Sequence, residues 1–154
     1  MKPVLVRRAE QADSHILLDL VERLVEFGPP PWRDAGAMRR IDRQNLEKAI
    51  ASTAQDPSVL VAWSGSDIAG FIHLHSALDA YNECPHGHIS DIVVASEFEG
   101  RGVAQSLMDA AEDWARAQGY AWLTLNVFED NARALKAYER RGFQRDILRM
   151  VRPL

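Results

Sequence analysis

The sequence predicts an α/β domain of the α+β kind: one mixed sheet with helices on both faces. Three observations point there. Short β-branched runs alternate with longer stretches that carry apolar residues at helical spacing. Three strand-like runs follow one another between residues 58 and 94, and only then does a helix, strand, helix succession begin. At 154 residues the chain can bury a real core, and no repeat, low-complexity tract or linker divides it, so one domain over residues 1–154 is expected.

Val4–Val6 is short and β-branched, a first strand. Asp13 can cap a helix that carries Leu17, Leu20, Val21 and Leu24 on one stripe. Gly28 and the three prolines after it stop that helix, because proline cannot continue one. Trp32 and Arg33 then fall in a loop, and a second helix is expected from about Asp42 to Thr53, with Leu46, Ala49 and Ile50 facing inward. Ser58–Trp63 and Ile68–His75 read as strands joined by a hairpin through Ser64–Asp67. Residues 76–87 look irregular, and His88–Val94 is another strand. A helix follows Gly102, with Val103, Leu107, Ala110, Ala111 and Trp114 on its inner stripe and Gly119 as its stop. Ala121–Phe128 is a buried strand, Asp130 or Asn131 opens a last helix that ends before Gly142, and Phe143–Leu154 closes with one or two strands.

The formal charge of −4 provides no basic footprint for nucleic acid. Cys84 is the only cysteine, which excludes an internal disulfide. The opening "MKPVLVRRAEQAD" lacks the apolar stretch of a signal peptide, and no run reaches membrane-span length. A reducing cytoplasm, with no membrane partner, is the expectation.

The chemistry concentrates in two blocks. The first is Glu99-Gly100-Arg101-Gly102-Val103-Ala104-Gln105, between a strand and a helix. Glycines let a ligand approach the backbone closely, and a helix start offers free N–H groups with partial positive charge. Such an end binds phosphate well. Two familiar phosphate motifs fail: a dinucleotide fingerprint needs glycine where Gln105 stands, and a P-loop needs a Gly-Lys-Ser/Thr that occurs nowhere. Local physics alone leaves open an anion cradle or a plain turn feeding a packed helix. The second block is "LNVFEDNARALKAYERRGF", in which Asn131, Leu135 and Tyr138 share one helix side near Ala134. Each residue has a bland explanation too: a capping Asn, a core Tyr, a glycine stop.

Together the blocks resemble the GCN5-related N-acetyltransferase (GNAT) superfamily. Its acetyl-CoA motif, Gln/Arg-x-x-Gly-x-Gly/Ala, reads Glu99-Gly100-Arg101-Gly102-Val103-Ala104 here, with Glu99 in place of the usual Gln or Arg. Its later pattern reads Leu125, Val127, Asn131, Ala134, Tyr138 and Gly142-Phe143. The resemblance is specific from His88 to Phe143, and element order extends it over nearly the whole chain. It implies a mostly antiparallel mixed sheet of six to seven strands flanked by about four helices, with strands four and five splayed apart.

It also implies acetyl-CoA as co-substrate, no metal, and a small-molecule or peptide amine as acceptor. The CoA pyrophosphate would sit on the turn at Gly100, Gly102, Ala104 and Gln105, beside Glu99 and Val103, with Arg101 as charge partner. The pantetheine arm would pair with Ile92, Val93 and Val94, and the Val94 N–H would polarise the thioester carbonyl. Asn131 and Ala134 would contact the cofactor, and Tyr138 would face the sulfur. Glu99 is expected to point away from the phosphates, toward Arg101 or solvent. An amine with pKa about 10.4 is mostly protonated at pH 7, and freeing it costs about 4.6 kcal/mol, so a base helps. His88, as an imidazole titrating near neutrality, and Asp91 both stand open for that role. Dimers are common in similar proteins, so a homodimer is possible. The alternative is a non-catalytic acyl-CoA-binding sensor or interaction module of the same fold.

His73-x-His75 and His86-x-His88, with Cys84 nearby, have metal-like spacing, but the tight cysteine pairings of structural zinc sites are missing, so no metal is expected. The arginine clusters read as solvated charge. The family varies its acceptor site between the first two helices and around strands three and four. Trp32, Arg33, His73, Tyr81 and Asn126, with His75 and Asn82, are the candidates there, and small amines, amino acids, aminoglycosides and protein amines all stay open.

Overall fold

The structure, a computed structural model, describes residues 3–54 and 56–154. In it β1 (Val4–Arg8) leads through a 3-10 turn into α1 (Ser14–Leu20), which continues as a 3-10 segment, Val21–Val25. Then come α2 (Ala35–Ala51), β2 (Ser58–Ser64), β3 (Asp67–Leu78), β4 (Pro85–Val94), α3 (Val103–Ala117), β5 (Leu123–Leu125) and α4 (Ala132–Arg140). The sheet runs in the order β1-β2-β3-β4-β5, antiparallel except for the parallel β4–β5 pair.

The sheet alternates its side chains between two cores, as strand geometry requires. On one face Ile72, Leu74 and Ile89 meet Val103, Leu107 and Ala111 of α3. On the other Val59, Val61, Phe71 and Val93 meet Leu17 of α1, Val21 of the 3-10 segment and Leu46 of α2. No helix among the described residues is long and apolar enough to cross a membrane.

Several expectations are corrected. The sheet has five strands among the described residues, not six to seven. Residues 141–154 form no strand, and Ile147, Leu148 and Met150 stand exposed there. The fifth strand is three residues long rather than eight, because its ladder with β4 stops at Leu125. The second helix starts seven residues earlier than Asp42: the Asp34 carboxylate accepts the Ala37 N–H at 2.6 Å and caps it, which outweighs the poor helix propensity of Gly36. The sequence also ends β3 and starts β4 too early and too late; both strands run on into the turn at 79–84.

Candidate active site

After β4 the chain makes a 3-10 turn, Ser96–Phe98, and reaches the glycine turn. Gly100 and Gly102 have φ of 73° and 80°, the left-handed region that glycine takes without strain. Gly102 is the N-cap of α3, and no side chain caps that end. The N–H groups of Val103, Ala104 and Gln105 therefore have no acceptor inside the helix and sit at its positive end. Arg101 lays its guanidinium over the Phe98 ring, 5.5 Å from the centroid. Glu99 turns neither to Arg101 nor to open solvent. Its carboxylate binds Arg133 at 2.7 Å and Arg23 at 2.9 Å, and these two guanidiniums hold it below the usual carboxylate range. The acid beside the turn is thus matched by two cations.

Next to this turn the sheet opens. β5 pairs with β4 only at Gly87, His88 and Ile89, while β4 continues to Val94. This is the splay expected between the fourth and fifth strands. Backbone groups alternate between the two edges of a strand, and the Ala95 N–H goes to Ala69 of β3, so the groups of Val94 face the gap. Arg23 donates to the Val94 carbonyl there, leaving the Val94 N–H as the donor facing the opening. Ile92 and Val94 pack toward the α3 core and Val93 toward the α1–α2 core.

α4 lies beside the opening. Asn131 caps it, its side chain accepting the Ala134 N–H at 3.2 Å. Tyr138 stacks edge-on against Phe143, with 5.9 Å between ring centroids. Burial, and then the charge of Asp91, keep its phenol above the ordinary value, so it stays protonated.

On the α2 side of β3 and β4 a cleft of about 730 Å³ opens, with His73, His75, His88, Ser90 and Asp91 on its floor and Asp42, Asn45 and Lys48 on its wall. A register irregularity between β3 and β4, at His73/Leu74, leaves Ser90 as the extra residue between Ile89 and Asp91. Bulges of this kind re-aim side chains, and here two successive residues, Ser90 and Asp91, line one cleft. Asp91 stands directly across from His73 and bonds its Nδ1 at 3.0 Å. His75 Nδ1 meets Ser90 Oγ at 2.8 Å, and His88 Nδ1 meets Thr124 Oγ1 at 2.7 Å. His88 does not titrate near neutrality: burial, then the neighbouring His75 and His86, push it down to about 4. Among the described residues no three of His, Cys, Asp and Glu are set to hold a metal ion.

Asp42 is the residue that sequence reasoning missed. Burial, helped by the charge of Asp91, lifts its carboxyl to about 6. Its signal was present: residues 42, 46 and 49 share one helical stripe, so this carboxylate sits in line with the buried Leu46 and Ala49. Of the acceptor candidates, His73 and His75 line the cleft. Arg33 stacks on Phe128, 5.3 Å from its centroid, and Trp32 is half exposed in the same loop. Tyr81 projects from the β3–β4 turn, almost fully exposed, as does Asn82, and Asn126 is exposed just beyond β5.

The acetyltransferase (GNAT) family model matches residues 17–143, which includes the glycine turn, the splayed strands and α4. The chain belongs to this family. This GNAT chain is 24% identical over 143 residues to an uncharacterised N-acetyltransferase of Bacillus subtilis, covering 92% of the one and 90% of the other. It is 36% identical over 95 residues to the streptothricin acetyltransferase of Streptomyces lavendulae, a match of 62% of this chain and 48% of that one, so it spans about half of that relative's length. An aminoglycoside N-acetyltransferase solved in complex with CoA has the same fold, with a TM-score of 0.75 and 18% identity over 99% of this chain and 96% of that one. The GNAT fold and acetyl transfer to an amine are what these likenesses support.

Proposed function

We propose that the protein transfers the acetyl group of acetyl-CoA to a primary amine by direct attack of the amine nitrogen on the thioester carbonyl. The observation that carries this is the open edge of β4 at Val94, adjoining an uncapped helix start behind two left-handed glycines. The turn's backbone suits a pyrophosphate: free N–H groups, a positive helix end, and no carboxylate left uncompensated, since Glu99 is held by two arginines. The open strand edge suits a pantetheine arm carrying amide groups, which pair as an added strand does. The Val94 N–H, the donor facing the opening, would stabilise charge growing on the thioester oxygen.

Tyr138 remains a neutral phenol and can donate to the departing thiolate. A phenol near pKa 10 protonates a thiol near 8.5 only uphill, by about 2 kcal/mol, so its contribution is chiefly a hydrogen bond to the leaving sulfur. The cleft between α2 and the β3–β4 face is the acceptor end. Its carboxylates, Asp42, Asp56 and Asp91, outnumber its one lysine, Lys48, which favours a cationic amine. The sequence likeness to the streptothricin acetyltransferase supports a small-molecule amine as the kind of acceptor.

The test is CoA release from acetyl-CoA across a panel of small amines, amino acids, aminoglycosides and peptides, alongside calorimetric titration with acetyl-CoA. Binding together with amine-dependent CoA release is expected. Binding without release on any amine would make the chain an acyl-CoA-binding module, and no binding would remove the CoA assignment.

A further inference from the structure

We infer that His73, held by Asp91, is the base that takes the proton from the acceptor amine. The inference rests on the acetyl-transfer function proposed above and names the residue that performs its proton step.

The chemistry of the pair settles the tautomer. An ionised carboxylate only accepts hydrogen bonds, so the 3.0 Å contact between His73 Nδ1 and Asp91 Oδ2 places the ring proton on Nδ1. In the neutral ring Nε2 then carries a lone pair. His73 is a buried residue, 7% exposed, and it lines the cleft. Its Nε2 has no hydrogen-bond partner among the described residues and keeps some exposure, and the residue lines the cleft. A buried imidazole oriented by a carboxylate with its free nitrogen toward a substrate space is the arrangement of a general base. Cross-strand register holds it: His73 and Asp91 are directly opposed on β3 and β4, so two paired strands, not a loop, fix the geometry.

The other imidazoles lack this set. His88 donates to or accepts from a hydroxyl, Thr124 Oγ1, which His86 Nε2 shares at 3.1 Å, so nothing fixes which nitrogen is basic. Burial also leaves His88 reluctant to hold a proton near neutral pH. His75 meets a hydroxyl, Ser90 Oγ, and burial pushes it down as well.

In the step, the amine nitrogen bonds to the acetyl carbon and the carbon–sulfur bond breaks, its electron pair leaving on the CoA sulfur. The proton lost by nitrogen goes to His73 Nε2, and Asp91 stabilises the resulting imidazolium. The thiolate regains a proton from solvent or Tyr138. His73 is the catalytic group and Asp91 its positioning residue. The charged and titratable groups around the pair are His75 on β3, His86 and His88 on β4, Asp42 and Lys48 on α2, Asp56 ahead of β2, and Tyr138 on α4.

The test follows kcat/KM against pH for wild type, His73→Gln and Asp91→Asn, using the best amine from the panel, with acetyl-CoA affinity by calorimetry. Gln keeps a donor for Asp91 but takes no proton. His73→Gln should lose the acid limb of the profile and fall by about 10²–10⁴ in kcat/KM at the wild-type plateau, with acetyl-CoA affinity unchanged. Asp91→Asn should lower the plateau and move the limb to lower pH, and Asp91→Glu should recover part of the loss. Long-range proton–nitrogen NMR of histidine-labelled wild type should show His73 protonated at Nδ1, and Asp91→Asn should disturb that tautomer.

If wild type turns over and His73→Gln keeps its limb and its rate within tenfold, the dyad is overturned while acetyl transfer stands. If wild type neither binds acetyl-CoA nor releases CoA, the acetyl-transfer function falls and the dyad with it. Should His73→Gln fail to bind acetyl-CoA, Asp91→Asn decides: an unmoved limb together with an unchanged tautomer overturns the proposal.

Discussion

Tyr138 packs its ring against the core, and in the proposed reaction its hydroxyl would serve the leaving sulfur as well. Its ring is half-buried against Phe143 and the α3-side core, and its hydroxyl end lies within the field of Asp91. Tyr138→Phe keeps the ring and deletes only the donor. Turnover should fall several-fold to a hundredfold while acetyl-CoA affinity and melting temperature stay near wild type, and steady-state kinetics beside calorimetry will show it; unchanged turnover would remove the hydroxyl from the mechanism. Asn131 has a role the structure makes explicit, since its amide oxygen closes the first turn of α4. Asn131→Ala should cost about 1 kcal/mol in a denaturation series, and Asn131→Ser, another good cap, should restore most of it. At this scale the sequence was legible where a residue's type and local spacing define its job, as with the capping Asn131 and the two left-handed glycines. It was opaque where the job depends on a neighbour distant in sequence. The His73–Asp91 contact joins residues 18 apart through strand register, and the partners of Glu99 come from α4 and from the segment after α1.

At the scale of elements, the weak points of the fold are the places where strands approach most closely. A Cβ at Gly70 would lie 2.4 Å from the Val93 carbonyl oxygen and 3.1 Å from the Val94 Cα, both backbone atoms of β4. Backbone in a paired ladder cannot swing aside, so Gly70→Ala must push β3 and β4 apart at the strand that carries the gap. A Cβ at Gly87 meets Leu123 Cδ2 at 2.6 Å and Trp114 Cζ3 at 2.9 Å, which are ends of side chains. Gly70→Ala should destabilise by about 1–3 kcal/mol and Gly87→Ala by less, with urea unfolding supplying the order. The reverse order would mean that β4 yields more readily than the Leu123 and Trp114 side chains do. Every helix and the order of the first four strands could be read from hydrophobic period and stop signals. The start of α2 and the strand ends could not: α2 begins at a cap whose effect outweighs Gly36, and β5 ends where its neighbour leaves it. Strand propensity in residues 121–128 was real, but a strand lasts only as long as its partner.

For the whole molecule, the buried titratable groups set opposing pH dependences. His88 holds its proton only below about 4 when folded, whereas the unfolded chain takes one near 6.5. As pH falls through that interval the unfolded state binds more protons, so this group contributes a loss of stability on acidification. His75, also pushed down by burial, acts in the same direction. Asp42 acts oppositely. Folded, it keeps its proton up to about 6, while unfolded it ionises near 3.8, so its contribution to stability grows as pH falls from 6 toward 4. Between pH 6.5 and 4 the contributions partly cancel, and wild type should lose little. Asp42→Asn removes the opposing arm. That variant should be more stable than wild type at pH 7, by about 1 kcal/mol once solvent screening of a half-exposed group is allowed for, and should fall more steeply toward pH 4. His88→Asn should show the shallowest fall of the three. Below pH 4 all three should weaken together as Asp13, held low by Arg7 at 2.8 Å, takes up its proton. Urea unfolding at pH 7, 5.5 and 4 distinguishes these slopes; parallel curves for the three proteins would mean that neither cleft group is buried enough to couple its proton to folding.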